Sequence, residues 1–410
     1  MRRLARPPSF TDHLPWVEYL PEARAFLLED GASVGALFEL TPVATEARPP
    51  EFLAELRDAL QTALSDAIPE RDDAPWVVQL YAQDEPSLEA LTQTLATYID
   101  PNARGTAFTH HYQHLFATHL ARLTCPEGVF EDTAVTGGPW RGHLRRVRAT
   151  LYRRLPRHAH QRAALEIEAE LNDIATRFTA ALAAAGVTAR RGTGEDFYAW
   201  LLPWFNPNPL ATTNANTQLP TLAPYPGDDT LPFGADFAES LVLSMPRSEA
   251  HTGTWWFDEV PHTVISIQSL RRAPEIGHFT AERLISEHVC ALADRLPPGT
   301  IMVMTLTVTP QDKIRTHLNA IRRAAVGDSA EASITRDDAT HVEHAMAHGD
   351  KLYPMAVAFY LRGDDLPALK RHVTQLHALL LSNGQLADIV IGQANFTDFA
   401  VSAVPSNLRS

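Results

Sequence analysis

Residues 206–234 interrupt this chain with Asn206-Pro-Asn-Pro209, Thr212-Thr-Asn-Ala-Asn-Thr217 and then Pro220, Pro224, Pro226 and Pro232. Such a run reads as a loop of stiff prolines with little to bury, either a linker or a long surface excursion. It divides 410 residues, more than one core supports, into candidate lobes at 1–205 and 235–410.

Both sides alternate strand and helix patterns. Residues 24–43 read as a hairpin around Asp30-Gly31, a pair suited to positive φ. Pro49-Pro50 opens a helix striped by Phe52, Leu53, Leu56, Leu60 and Leu64, and Trp76–Tyr81 is a short strand. A second helix aligns Leu88, Leu91, Leu95 and Tyr98, and a third runs from Thr106 to Leu123. After Gly137-Gly138-Pro139, Leu144–Leu151 returns as a strand. Ala159–Ala185 is a long helix striped by Ile167, Leu171, Ile174, Phe178 and Leu182, with Gly186 as its stop. That stripe suits core packing or an inter-subunit contact.

Beyond the proline-rich run, His262–Leu270 alternates as a strand and Phe279–Leu296 reads as a helix. Thr300–Val308 is apolar on both faces, as in a central strand. Thr309-Pro310 caps a helix reaching Ala325, and Thr335 caps another that stops at Gly349. Tyr353–Leu361 is a strand, followed by a helix with Leu366, Leu369, Val373, Leu376 and Leu380 that ends at Asn383-Gly384. Ala387–Ile391 closes the set. The expected class is α/β (α+β): two ferredoxin-like, mixed-sheet lobes with additional helices. No sequence identity links the halves, so this expectation concerns topology alone.

The net charge of −14 argues against a surface that coats nucleic acid as a whole. Locally the balance inverts. Between Arg141 and Arg162 stand eight arginines and no acid. On a strand, Arg146, Arg148, Tyr152 and Arg154 share one face while Val147, Ala149 and Leu151 turn inward. Arg145, Arg146, Arg148, Tyr152, Arg153 and Arg154 are therefore the candidate partner-binding or anion-binding residues. Guanidinium forks suit phosphate or acidic surfaces. An acidic protein, anionic lipid or nucleic acid all fit, as does pairing with Glu166, Glu168 and Glu170.

Histidines cluster at His110, His111, His114 and His119, and again at His341, His344 and His348. His110 and His114 lie one helical turn apart, but spacing fixes no third ligand, so both sets read as polar helix faces. Trp200, Trp204 and Phe205, and the Trp255-Trp256-Phe257 run, suit core packing or a half-wet contact. On a strand, Trp255 and Trp256 face opposite ways. Cys125 and Cys290 are too few for a disulfide framework and point to a reducing cytosol. The basic start, Met1-Arg-Arg, has no apolar segment behind it, and no window is apolar enough to span a membrane.

The run Phe10-Thr-Asp-His-Leu-Pro-Trp-Val-Glu-Tyr19, then Leu27-Leu-Glu-Asp-Gly through Val43, resembles the start of TraC-type conjugative-transfer ATPases. Glu39-Leu-Thr-Pro-Val-Ala-Thr-Glu46, the Trp76 strand, Gly327-Asp-Ser-Ala-Glu-Ala332 and the stretch from Tyr353 to Ile391 are similar to that family's N-terminal region. The resemblance implies an α/β region that docks on type IV secretion components at the inner membrane, cytoplasmic or peripheral on its cytoplasmic face, with self-association among the options. In the family a C-terminal RecA-like region hydrolyses ATP. Here no Gly-x-x-x-x-Gly-Lys-Ser/Thr loop occurs, and none of Lys313, Lys351 and Lys370 follows a glycine. The chain is thus expected to be a truncated or split member without ATP or Mg²⁺, which would belong to a separate motor domain. It would serve docking and regulation in pilus assembly or DNA transfer. The alternative is a nucleic-acid-binding accessory protein of conjugation using Arg141–Arg162.

Overall fold

The computed structural model describes residues 10–389 except 46–47, 86–87, 126, 134–137, 157–159, 210–214, 229–235, 250, 271–275, 281–282, 286–287 and 328. Expectations at Met1–Pro8, Glu46, Gly137, Arg157, Ala159, Asp328 and Ile391 lie outside the described residues.

A 3-10 turn at Phe10–His13 leads into β1 (Trp16–Leu20), β2 (Ala25–Leu28) and β3 (Val34–Thr41). Between β2 and β3, Gly31 takes φ +69° and the Asp30 carboxylate accepts the N–H groups of Ala32 (3.0 Å) and Ser33 (2.7 Å). Then follow α1 (Pro50–Ala67), β4 (Val77–Glu85), α2 (Glu89–Thr97), α3 (Ala107–Leu123), β5 (Phe130–Asp132), β6 (Gly138–Trp140), β7 (Leu144–Arg153), α4 (His160–Ala184) and β8 (Thr188–Arg191). Next come α5 (Gly194–Phe205), α6 (Ala215–Leu222), α7 (Phe237–Ser240), β9 (Arg247–Glu249), β10 (Thr254–Phe257) and β11 (Val260–Leu270). The chain continues through β12 (Arg283–Ile285), β13 (His288–Cys290), a 3-10 turn (Leu292–Arg295), β14 (Ile301–Thr307), α8 (Gln311–Ala324), α9 (Ala330–Ala347), β15 (Met355–Arg362), α10 (Leu366–Ser382) and β16 (Gln385–Ile389).

One 12-stranded sheet runs β1-β2-β3-β7-β4-β14-β15-β11-β10-β9, with β8 beside β3 and β16 beside β11. Read from either end toward the β4–β14 seam, the connectivity is the same. The order β8-β3-β7-β4 comes from strands separated by α1 and α4, the split βαβ arrangement of a ferredoxin-like unit. The order β16-β11-β15-β14 repeats it, with α10 in the place of α4. The two units meet where Val77–Gln83 pair with Thr307–Ile301. All pairings among the described residues are antiparallel, where a mixed sheet was expected. Such a unit needs no parallel neighbours, because the two strands joined by a crossover helix have a third strand between them.

The two faces of the sheet differ. On one, an aromatic layer continues across both units, from Phe10, Trp16, Phe26 and Tyr152 through α5 to Trp255, Phe257 and Tyr360. On the other, α1 and α4 cover the first unit through Ile167, Leu171, Ile174, Phe178 and Leu182, so that stripe is core. Leu369, Leu376 and Leu380 of α10 cover the second. Thr193 and Asp196 form a reciprocal capping box at the start of α5. At its end the buried Asn206 amide donates to Leu202 O (2.8 Å) and Leu241 O (2.7 Å) and accepts from Leu243 N (2.9 Å).

Three local expectations change. Residues 279–296 hold the β12–β13 hairpin and a 3-10 turn among the described residues, not a helix. Ile285 and Val289 are β-branched and lose side-chain freedom in a helix. Helix α9 starts before Thr335: Ser329 caps it by accepting Ala332 N at 3.2 Å, and the Thr335 hydroxyl donates inside the helix to Glu331 O. Within 206–234, α6 folds despite Pro220, and Leu219 is fully buried in the aromatic layer.

Candidate interaction surface

β7 carries the arginines between β3 and β4, in the interior of the sheet. Its alternation places Ala149 and Leu151 against α1 and α4 and Tyr152 in the aromatic layer, so the arginine face lies under α5. Arg148 is only 8% exposed. It donates to Glu85 at 2.8 Å and sits 4.9 Å from the centre of the Trp200 ring. Arg146 pairs with Glu85 (3.1 Å) and Arg154 with Glu29 (2.6 Å). Arg153 reaches Glu170 (2.8 Å) and the carbonyls of Ala74 and Asp73. Arg145 grips Asp84 through two nitrogens (2.9 and 3.1 Å) and approaches Asp294 of the second unit (3.5 Å), an ion bridge over the seam. Of the three acids expected as partners from α4, Glu170 takes that role. The other acids come from β4, from the turn after β2 and from beside β13.

Helix α5 lies over the same seam. Trp200 packs on Tyr81 with ring centres 5.0 Å apart and donates through Nε1 to Gln83 (2.8 Å). Trp204 packs edge-on to His262 at 5.1 Å, and the Arg362 guanidinium lies 5.9 Å from its ring. Burial, reinforced by the Arg362 charge, pushes the His262 imidazole down to about 3. Burial and the nearby Arg141 charge lower Arg362 as well. Trp255 and Phe257 are buried, and Trp256 turns to the other face beneath Arg247, 4.5 Å away.

The aromatic residues that stand in solvent lie elsewhere. The β4-to-β7 connection inserts α2 and α3, and the equivalent β14-to-β15 connection inserts α8 and α9. Thr106 caps α3 by accepting Thr109 N (3.2 Å), and Gly142 N ties its far end by donating to Leu123 O (2.7 Å). Leu95 and Tyr98, striped as if for a core, are 39% and 80% exposed, and Phe108, Tyr112 and Leu115 are exposed too. Helical periodicity detects an apolar face but not whether anything covers it. Phe108, Tyr112 and Leu115, at spacings of four and three, are the sequence signal that marks this face of α3. The histidines of α3 and α9 are exposed, and among the described residues no group of three His, Cys, Asp or Glu is placed to hold a metal.

The chain is thus a pair of ferredoxin-like units fused through their sheets, with helical pairs inserted at matching hairpins. The family model described as TraC protein matches residues 10–386, and the chain belongs to that family. Its place is in conjugative transfer by type IV secretion. No curated protein matches the chain. Among the described residues no helix is long and apolar enough to cross a membrane.

Proposed function

We propose that this chain is a docking and regulatory part of the conjugative type IV secretion machinery, serving pilus assembly or DNA transfer without hydrolysing ATP itself. The observation that carries the reading is the exposed aromatic face of α2–α3, set on a frame whose other large aromatics are mostly packed away. The lack of a phosphate-binding loop in these 410 residues supports the second half of it. Pairing of Arg145, Arg146, Arg148, Arg153 and Arg154 with carboxylates of the same chain supports docking over nucleic-acid binding by that segment. The purified chain is expected to co-purify with an inner-membrane or pilus-assembly component expressed beside it. Mg-ATP should leave its melting temperature unchanged. A ligand that binds the native state must stabilise it, so a clear rise would contradict the reading.

A further inference from the structure

Going beyond the docking reading, we propose that Arg141 and Arg362 hold a phosphate group at one edge of the seam, against Trp204 and between the two units. Strand register sets the place. Leu144 pairs with Glu85, Gln83 with Ile301, Ile301 with Tyr360 and Arg362 with His262. The start of β7, the end of β4, the start of β14 and the end of β15 therefore share that edge. Residues directly opposite in an antiparallel pair turn to one face. Arg362 and His262 thus both enter the aromatic layer, where Trp204 lies against each. Gly299 makes room beside them, since a Cβ there would stand 3.0 Å from Arg362 Nε. From the other unit, the segment leading into β7 leans over the seam, and its Arg145 reaches Asp294 (3.5 Å). Arg141 stands on that segment, close enough for its charge to act on Arg362.

The neighbouring carboxylates are already engaged. Arg145 takes Asp84 and Asp294, His143 also approaches Asp84 (3.3 Å), and Arg146 and Arg148 share Glu85. Among the described residues, the charges that act on Arg362 are Arg141, which repels it, and more weakly Asp364. Asp364 is exposed and makes no ion pair with it. Arg141 and Arg362 are both only partly exposed, and among the described residues neither pairs with a carboxylate or donates a hydrogen bond. A partly buried guanidinium without a counter-charge is costly, and a second one beside it adds repulsion. The edge therefore lacks an anion after its own acids are counted.

The donors define that anion. Guanidinium forks only donate, so they suit a fully ionised oxyanion. A planar carboxylate is satisfied by one fork in its own plane. Arg141 and Arg362 come from different units, which suits the several oxygens of a tetrahedral phosphate. Inorganic phosphate and a small phosphate monoester share this chemistry. In Mg-ATP the metal ion already occupies oxygens of the terminal phosphates, so that complex is a poor match.

The experiment titrates inorganic phosphate into the full chain at constant ionic strength and follows the melting temperature and the heat of binding. The melting temperature should rise and saturate, because a ligand of the native state stabilises it. Acetate and chloride should not reproduce this. Arg141→Gln should weaken phosphate binding by about tenfold or more, a loss of about 1.4 kcal/mol. Without phosphate it should melt no lower than wild type, since it removes a repelling charge. Arg362→Lys, which keeps the charge but not the fork, should weaken binding too and gives a second test if Arg141→Gln misfolds. Glycerol phosphate binding as tightly as inorganic phosphate would assign the site to a monoester, and binding of inorganic phosphate alone to the free ion. A rise that never saturates, or that persists in both variants, is general salting-out and would overturn the proposal. So would an equal effect of acetate, or a phosphate-free Arg141→Gln that melts well below wild type.

Discussion

In the first unit, the β4-to-β7 hairpin carries α2 and α3, whose aromatic residues face solvent. In the second, the β14-to-β15 hairpin carries α8 and α9, and these close on each other. Arg322 donates to Glu343 across the pair at 2.7 Å, and Ala332, Ala339 and Met346 are buried. The large apolar residues that remain exposed there, Ile321, Val326 and Ile334, are aliphatic, and α9 also carries Glu331, Asp337 and Asp338. The same strand order thus bears one insert with exposed aromatic residues and one whose exposed large apolar residues are aliphatic. The faces opposite the aromatic layer differ similarly, with α1 and α4 on the first unit and α10 on the second. What the units hold in common is the layer around α5. The frame and its inserts are therefore separable: substitutions in the layer should threaten both units, and substitutions on α2–α3 should threaten binding alone.

The largest effect is expected from Trp200→Ala, which empties the centre of the layer and removes the hydrogen bond to Gln83. Truncating a core tryptophan costs about 3–5 kcal/mol. In urea the wild type and this variant should each unfold in one transition. Two resolved transitions in the wild type would break the claim that the layer unites the units.

Arg148→Glu comes next, because it places a carboxylate beside Glu85 beneath Trp200. Disrupting a buried pair costs about 3–5 kcal/mol, and Glu85 is partly exposed, so the lower end applies. Arg154→Glu, at a half-open pair, should cost about 1 kcal/mol or less. Equal losses for the two in thermal melts would contradict the contrast between buried and rim arginines.

Acid should weaken the shared layer through His262. Its imidazole is neutral in the fold down to about pH 3 because of burial and the facing Arg362, whereas an unfolded histidine takes its proton near pH 6.5. The unfolded chain binds more protons between those values, so stability falls as pH drops through that window. His262→Phe keeps a ring against Phe257 and Trp204 and should flatten this part of the profile. An identical slope in wild type and variant would remove His262 as the source.

The smallest stability effect belongs to the insert. Tyr112→Ser should shift unfolding by no more than about 0.5 kcal/mol, as at other exposed positions, while lowering partner binding. A marked drop in melting temperature would make Tyr112 structural and erase the difference between insert and frame.

Much of the frame was legible because its signals are local. Strand β3 and the Asp30-Gly31 turn, the α4 stripe, and the stop of α10 at Asn383 each depend on a few neighbouring residues. Helix α5 gave no period because it is apolar on nearly every side, although the Thr193–Asp196 capping box could have announced it. The acid partners of the arginine strand were hidden by distance in sequence: Arg145 meets Asp84 and Asp294, and Arg154 meets Glu29. Joining β4 to β14 is likewise a pairing of distant edges that no local pattern encodes. The exposure of Tyr98 was unreadable for a different reason, since the sequence specifies an apolar stripe but not its cover.

Hydrogen–deuterium exchange of the full chain, alone and bound to a co-purified type IV secretion component, tests the separation of frame and insert most directly. Protection should concentrate on residues 92–116, with 311–347 unchanged. Protection along 311–347 or 141–154, with 92–116 unaffected, would contradict it.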